Sequence, residues 1–575
     1  MLRANDEPRG ERTEGSLREP RNRGTATRKI AKTVRLHNEG RVGNVTDIVG
    51  NETVRSLWDG LVAACGEREF LLFRDRAGST TAYTYRAFND EIDRAANVFL
   101  SLGVQAGERV AVQLCTCPEF MMCLFGLAKI GAVMVPMNEQ YLVEEAAFVL
   151  ERTEASCAVV EPKFLDLYRA VRASGPYLPK GVLVARTDDD GVEGVEEARA
   201  ALGREEALRD FSRLRAAAAT GLAEVRPLCA DDAAEIIFTS GTTSRPKGVV
   251  LTHANILFSG LYGDWEVTLT RDDRLLTTMP ACHSNFQLAA LMPVLTAGAT
   301  LIVVEKYSAR RFWSQIREFK ATVTQCVAMM LRTLMLQPAS PDDRNHELRE
   351  ILYFLPVSNA EKEAFEQRFG ASLMNTYGST ESIGWVLTDP PAGPRRWPSV
   401  GRAGLGYEVR IMREDGREGA PGEIGEIQVR GVRGRTIMKE YWGDPEATAR
   451  TFTEDGWLKT GDKGYMDEDG WFFFVDRKVN MIKRAGENIS TTELENVLVD
   501  HPLIAEAAVI GVPDPIRDQA VKAFVLPAAG ARITEEEVLA FCEEHMAGFK
   551  VPSYVEIVDS FPRTCSMKIE KKLLK

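Results

Sequence analysis

The stretch Glu235-Ile-Ile-Phe-Thr-Ser-Gly-Thr-Thr-Ser-Arg-Pro-Lys-Gly248 constrains this chain more than any other. Its apolar opening, Ile236 to Phe238, predicts a buried strand. A hydroxyl-rich loop follows, with Thr239, Ser240, Gly241, Thr242, Thr243 and Ser244, and Lys247 and Gly248 close it. Such a loop suits a polyphosphate. Gly241 lets the backbone approach a ligand, successive N–H groups and hydroxyls donate to anionic oxygens, and Lys247 adds a point charge. The order Pro246-Lys247-Gly248 is not the Walker ending, which needs Gly-Lys followed by Ser or Thr. Alone, an ordinary polar turn between a strand and a helix explains the same letters.

Four further strings gain meaning beside the first. Asn375-Thr-Tyr-Gly-Ser-Thr-Glu-Ser382 follows a short predicted strand, Ala371 to Met374. Tyr377 offers a flat face to a base and Thr380 a hydroxyl to a phosphate, while Glu381 is a hard oxygen ligand suited to magnesium. In Trp457-Leu-Lys-Thr-Gly-Asp462, a carboxylate after a tight glycine turn can accept from two ribose hydroxyls, although a β-turn aspartate explains it equally well in isolation. Arg477 brings a guanidinium able to reach ribose or phosphate, or to form a surface ion pair. Lys483-Arg-Ala-Gly-Glu-Asn488 and Pro562-Arg-Thr-Cys-Ser-Met-Lys-Ile569 complete the set. Lys568 by itself is one lysine among Lys571, Lys572 and Lys575.

The chain's 575 residues point to several compact units. Hydrophobic content of 45% and charged content of 27% are ordinary for a globular protein. A net charge of -12 and a pI near 5.4 count against a nucleic-acid binder. The ten cysteines form no Cys-x-x-Cys pair and the six histidines are isolated, so neither a zinc site nor a disulfide framework is expected. A reducing, cytoplasmic setting is the default. Cys115 and Cys117 are spaced to share one strand face. Phe120 to Met137 approaches the length of a membrane span, but Lys129 interrupts it between Gly126 and Gly131, and a helix followed by the buried strand Ala132 to Pro136 explains it better.

Residues 1–45 mix Arg, Glu, Gly and Thr without apolar periodicity and read as a disordered extension. They lack the apolar core of a secretory signal. Strand and helix text then alternates to about residue 400, which argues for α/β layers with largely parallel sheets. The charged, Ala-rich stretch 185–220 reads as a solvated helix or insertion. From Gly401, short β-like runs such as Tyr407 to Met412 and Gly422 to Val429 suggest a small β subdomain. After Asp476 the pattern becomes compact β/α: helix Thr491 to Val499, strands Ala507 to Gly511 and Lys522 to Val525, helix Glu535 to His545. The expected fold is α/β: a large domain over 46–478, layered sheets plus a small β subdomain, and a small mobile α+β domain over 479–575.

The five strings stand in the order found in the adenylate-forming superfamily of acyl-CoA synthetases, luciferases and peptide-synthetase adenylation domains, which the chain resembles from about residue 50 onward. Within it the chain looks most like the crotonobetaine/carnitine-CoA ligases, through Gly126 to Pro136, Val304 to Arg310, Arg396 to Ser399, Asn480 to Arg484 and Phe549 to Tyr554. The resemblance implies an AMP-forming acid–thiol ligase using ATP, Mg2+ and coenzyme A. It implies that Thr239, Ser240, Gly241, Thr242, Thr243 and Lys247 hold the β- and γ-phosphates, and that Tyr377 and Gly378 border adenine. It puts Thr380 on the α-phosphate, Glu381 on magnesium, Asp462 and Arg477 on ribose, and Lys568 between carboxylate and α-phosphate. Lys483 and Gly486 would face the site in the thiol step, and His283 in Met279-Pro-Ala-Cys-His283 resembles the family's pocket gate.

Some positions depart from the family pattern. Val479 stands where the hinge is usually Asp or Lys, Met567 replaces the glycine before the C-terminal lysine, and the adenine wall reads Pro356 to Ala360. Asn285 stands where the compared ligases carry an acid, two places after the histidine. The acyl pocket is expected from Trp265, His283 to Gln287, Met329, Gly384 and Trp385. Trp265, Phe286 and Trp385 could face a quaternary ammonium, or simply line a short or medium acyl chain. Two other readings use the same motifs: an enzyme loading a carrier-protein thiol, and a catalytically silent nucleotide-binding regulator.

Overall fold

The computed structural model describes residues 47–239, 246–354, 357–477, 481–484, 487–514, 518–546, 548, 550–564 and 568–575. Two large sheets organise its first three quarters. One has seven strands in the order Leu208–Asp210, Val182–Val184, Cys157–Val160, Arg109–Gln113, Val133–Pro136, Ala233–Thr239 and Lys247–Thr252. All its neighbours are parallel except the final hairpin. The other has nine strands, running from Arg402–Ala403 through Gly384–Thr388, Leu373–Ser379, Glu350–Phe354, Val323–Val327, Arg274–Thr277, Thr300–Val304 and Glu69–Arg74 to Thr80–Thr84. Its centre is parallel and both ends are antiparallel. Runs such as Cys157–Val160 and Thr300–Val304 are buried along their whole length, as strands covered on both faces require.

The helix Pro118–Lys129 carries almost no polar face, and eleven of its residues are buried. Protein, not lipid, covers it: no described helix is long and apolar enough to cross a membrane. Lys129, the interruption in that apolar window, is itself buried. Its Nζ donates to Asp93 Oδ1 at 2.7 Å and Asn89 Oδ1 at 2.6 Å on the helix Tyr85–Ser101. The charge is tolerated because it is paired and hydrogen-bonded.

The expected solvated insertion at 185–220 needs correcting. Its strand Leu208–Asp210 closes one edge of the seven-stranded sheet, and Val195, Ala198 and Phe211 are buried. Ala-rich text is ambiguous because alanine fits a buried helix face as well as an exposed one. Cys115 and Cys117 lie just beyond strand Arg109–Gln113, both buried, and the Cys115 thiol donates to Glu161 Oε1 at 2.7 Å. The nine described cysteines are free thiols.

A four-stranded antiparallel sheet follows, in the order Glu408–Met412, Gly425–Arg430, Leu458–Met466 and Phe472–Arg477. The C-terminal part is a five-stranded sheet with helices Thr491–Val499 and Glu535–His545. Its core of Ile482, Leu494, Leu498, Val509, Val521 and Val538 is separate from the large one. Asp476 joins the two parts: its Oδ2 accepts from Ser490 Oγ, Thr491 Oγ1 and Thr492 N, each at 3.1 Å. These donors stand at the N-terminus of helix Thr491–Val499, where a capping carboxylate is favoured.

Replacing Asp93 by alanine leaves the buried Lys129 ammonium with the neutral Asn89 amide and no counter-charge. The large unit should lose about 3–5 kcal/mol, the usual effect of breaking a buried pair from one side. Urea melts followed by tryptophan fluorescence check this; a loss under about 1 kcal/mol would show that the pair is solvated.

Candidate active site

The predicted phosphate loop is the turn of a hairpin. Strands Ala233–Thr239 and Lys247–Thr252 pair antiparallel with Thr239 opposite Lys247. Ser240, Gly241, Thr242 and Thr243 lie outside the described residues. The free edge of Lys247–Thr252 is covered by 439–442. Val250 N donates to the Glu440 carbonyl at 2.9 Å, Lys439 N to Val250 at 3.1 Å and Trp442 N to Gly248 at 2.7 Å. This places Tyr441 beside the loop, with the Lys247 ammonium 4.8 Å from the centre of its ring. The Tyr441 hydroxyl donates to Glu381 Oε1 at 2.9 Å. Burial, and then the Glu381 charge, raise the Tyr441 pKa far above a phenol's ordinary range, so it stays a donor. Two sequence motifs are thereby joined through a residue that belongs to neither.

The second motif is also a hairpin turn, between Leu373–Ser379 and Gly384–Thr388. Gly378 has no room for a side chain: a Cβ there would stand 1.8 Å from the Gly384 carbonyl oxygen. Ile383, a β-branched residue, holds a left-handed φ of +69° at the end of the turn. That conformation is unfavourable and marks local strain. The Tyr377 hydroxyl donates to Asp462 Oδ2 at 2.7 Å, bringing the third motif to the second. Asp462 follows Gly461 at φ +74° and pairs in register with Arg477, whose side chain lies outside the described residues.

His283 stands opposite these turns on a segment suspended by side chains from several elements. Ala281 N donates to Thr116 Oγ1 at 2.9 Å, and Gln287 Nε2 to the Ala281 carbonyl at 3.0 Å. Gln325 Nε2 donates to the Asn285 carbonyl at 3.0 Å. The Thr380 hydroxyl reaches Ser284 Oγ at 3.3 Å. His283 Nδ1 accepts from Asn285 N at 3.2 Å, which assigns the proton of the neutral ring to Nε2. Burial, and then the positive charge of Lys568, push the His283 pKa down to about 4.

Lys568 is exposed on a short turn in which Thr564 N donates to its carbonyl at 2.8 Å. Arg563 anchors that turn through Glu506 at 2.6 and 2.7 Å. Lys483 lies on strand Met481–Arg484 opposite Asn488; its side chain, and all of Gly486, lie outside the described residues.

The expected acyl-pocket aromatics are not equivalent. Trp265 is half-buried with its ring 5.4 Å from Tyr262. Trp385 is stacked on Phe354 at 4.3 Å, which occupies one of its faces. Phe286 is wholly buried in the large core. Tyr441, Thr116, Gln325 and Ile383 escape the sequence reading because no local pattern marks them. Only the pairing of distant strands brings them to the site.

Among the described residues no cluster of three or more His, Cys, Asp or Glu could chelate a metal alone. A magnesium shared with phosphates needs one carboxylate. Glu381, with one phenolic hydrogen bond and further lone pairs, fits that demand.

The family model described as AMP-binding enzyme matches residues 62–442, and the AMP-binding enzyme C-terminal domain matches 493–568. The chain is 48% identical over 529 residues to a crotonobetaine/carnitine–CoA ligase of Salmonella paratyphi A, covering 92% of this chain and 100% of that one. The corresponding ligase of Salmonella typhi is 47% identical over the same span. Among solved structures, ATP-bound MatB from Rhodopseudomonas palustris superposes with a TM-score of 0.78 at 27% identity, covering 91% of this chain and 98% of that one. The AMP complex of o-succinylbenzoate coenzyme A synthetase from Bacillus subtilis gives 0.76 at 25% identity, covering 91% and 98%.

Tyr441→Phe removes one neutral donor from Glu381 and leaves the ring under Lys247. Magnesium–ATP affinity should fall about threefold to tenfold, the effect of one such hydrogen bond, as read by calorimetry. Unchanged affinity would detach Tyr441 from the site. With its pKa near 4, His283 stays neutral from mildly acidic to alkaline pH. Turnover should therefore show no inflection near the ordinary histidine value of about 6.5. An inflection there that His283→Gln abolishes would contradict the assignment.

Proposed function

This chain belongs to the AMP-binding enzyme family, and from that premise we propose that it activates a small carboxylic acid of the carnitine or crotonobetaine type, or a short- to medium-chain acid. It is an acyl-CoA ligase of the acid–thiol class, with ATP and CoA as co-substrates. The observation that carries the reading is the joining of the Lys247 loop to Glu381 through Tyr441, whose ring lies 4.8 Å from the lysine ammonium and whose hydroxyl donates to the carboxylate at 2.9 Å. A cation and a hard oxygen ligand are thereby set together, as a magnesium polyphosphate requires.

In this reading the first half-reaction joins the acid to AMP and releases pyrophosphate. A carboxylate must attack the α-phosphate, and both are anions. Lys568 between them offsets the repulsion and steadies the charge that builds in the transition state. Lys247 and the Thr239 to Thr243 loop take the β- and γ-phosphates, with Thr380 on the α-phosphate. Asp462 and Arg477 hold the ribose, with Tyr377 and Gly378 beside the base. Magnesium on Glu381 would screen the phosphate charge. A neutral His283 would offer Nε2–H to the acid and bring it no positive charge.

The second half-reaction lets the CoA thiol displace AMP from the mixed anhydride. Lys483 and Gly486 belong to that step, after the small domain turns about a hinge near Val479. The boundaries proposed are 46–478 for the large domain and 479–575 for the small one, with 1–45 as an extension. The free cysteines support a reducing, cytoplasmic setting.

The acid is the finer question. The high identity to the crotonobetaine/carnitine ligases supports a quaternary ammonium acid. Neutral Asn285 and the covered face of Trp385 favour a pocket less selective for positive charge. A panel of carnitine, crotonobetaine and short fatty acids in one coupled assay with ATP and free CoA tests this; no acid-dependent AMP release would refute the reading. Lys568→Ala should slow acid-dependent ATP–pyrophosphate exchange by about 10²–10³, the usual effect of one aimed electrostatic group. An unchanged exchange rate would remove Lys568 from that step.

A further inference from the structure

Strand ends from both large sheets converge on one buried guanidinium that the reaction does not use. Cys115 lies two residues beyond strand Arg109–Gln113, and Glu161 directly follows Cys157–Val160. Arg186 lies two residues beyond Val182–Val184, and Glu305 directly follows Thr300–Val304 of the other sheet. Arg186, Glu161 and Cys115 are buried. Arg186 Nη1 donates to Glu161 Oε1 and to Cys115 Sγ, each at 2.7 Å, and stands 3.5 Å from Glu305 Oε1. Its Nη2 donates to Asp189 Oδ2 at 2.8 Å. The Cys115 thiol in turn donates to Glu161 Oε1 at 2.7 Å.

The backbone of Arg186 holds a left-handed φ of +57°. A residue with a β-carbon keeps that conformation only where its surroundings over-determine it, and the bonds to Glu161, Cys115 and Asp189 do so here. Lys163 Nζ stands 3.2 Å from Glu161 Oε2, and Arg76 Nε 3.0 Å from Glu305 Oε1. Each buried carboxylate is thus matched by more than one cation, as burial of charge demands. A planar fork suits this place better than a point charge, because its acceptors come from separate strands in different directions. The next residue along from Cys115 reaches the pocket. Thr116 Oγ1 accepts from Ala281 N at 2.9 Å and stands 3.5 Å from the Met279 carbonyl. Both belong to the segment that leads into His283.

We propose that Arg186 is a positioning residue: its guanidinium, bound to Cys115 and Glu161, fixes the loop that carries Thr116, and the Thr116 hydroxyl thereby sets the place of the segment bearing His283 and Asn285. The clasp between the two large sheets is in this way the mounting of one wall of the pocket. The proposal rests on the proposed function only in taking that segment as the wall beside the acid.

Amide hydrogen exchange of the free protein tests the mounting and needs no substrate. Exchange at Ala281 should quicken about tenfold in Arg186→Lys, which keeps the charge but loses the fork, and in Cys115→Ala. It should return to within about twofold of wild type in Cys115→Ser, whose hydroxyl can both donate and accept. Should Arg186→Lys fail to fold, Cys115→Ala and Cys115→Ser decide. With the acid that the panel identifies, Cys115→Ala should raise the KM for the acid about tenfold and leave the KM for ATP within about twofold, and Cys115→Ser should restore it. Thr116→Val, which deletes the accepting hydroxyl, should match Cys115→Ala, and the two together should have no more effect than either alone, because both break one chain of contacts. Unchanged exchange in Cys115→Ala, or additive effects in the double variant, would overturn the proposal. Quickened exchange with an unchanged KM for the acid would overturn it too, and would place the fault in the wall assigned to the acid rather than in the clasp.

Discussion

The main-chain pairing of Lys247–Thr252 with 439–442 is the contact on which the site depends. It brings Lys247, Tyr441 and Glu381 together from three distant parts of the chain. A lysine loop and a carboxylate turn would otherwise sit on different sheets with nothing to fix their separation. Backbone hydrogen bonds are suited to this task because they set spacing without depending on a flexible side chain. Tyr441 completes the link as a rigid, uncharged bridge that touches the cation with its face and the anion with its hydroxyl.

The segment around His283 shows the complementary arrangement. It has little regular structure of its own, yet Thr116, Gln287, Gln325 and Thr380 hold it. These are neutral groups. A charged support would alter the local field, whereas amides and hydroxyls fix geometry and add little charge. The low His283 pKa belongs to the same design: burial first, and then the charge of Lys568, disfavour a second positive charge.

Asp476 caps helix Thr491–Val499 of the C-terminal part, and Arg563 with Glu506 steadies the turn that carries Lys568. The small domain has a hydrophobic core of its own. Its helices at Thr491–Val499 and Glu535–His545 were legible from periodicity and capping residues, because those signals are local. The stretch 185–220 was not, because burial of an alanine-rich helix depends on what packs against it.

The sequence by itself determined the alternation of strand and helix, the order of the five motifs, and so the groups available: a hydroxyl-rich loop closed by a lysine, a carboxylate turn, an aspartate after a tight glycine turn and a C-terminal lysine. Each is encoded within a few consecutive residues. Only the tertiary structure decided which of these meet. Tyr441 bridging Lys247 to Glu381, Tyr377 reaching Asp462 and Thr380 reaching Ser284 all join residues far apart in the chain. Such contacts are fixed by strand pairing and domain placement, which no short window of sequence contains.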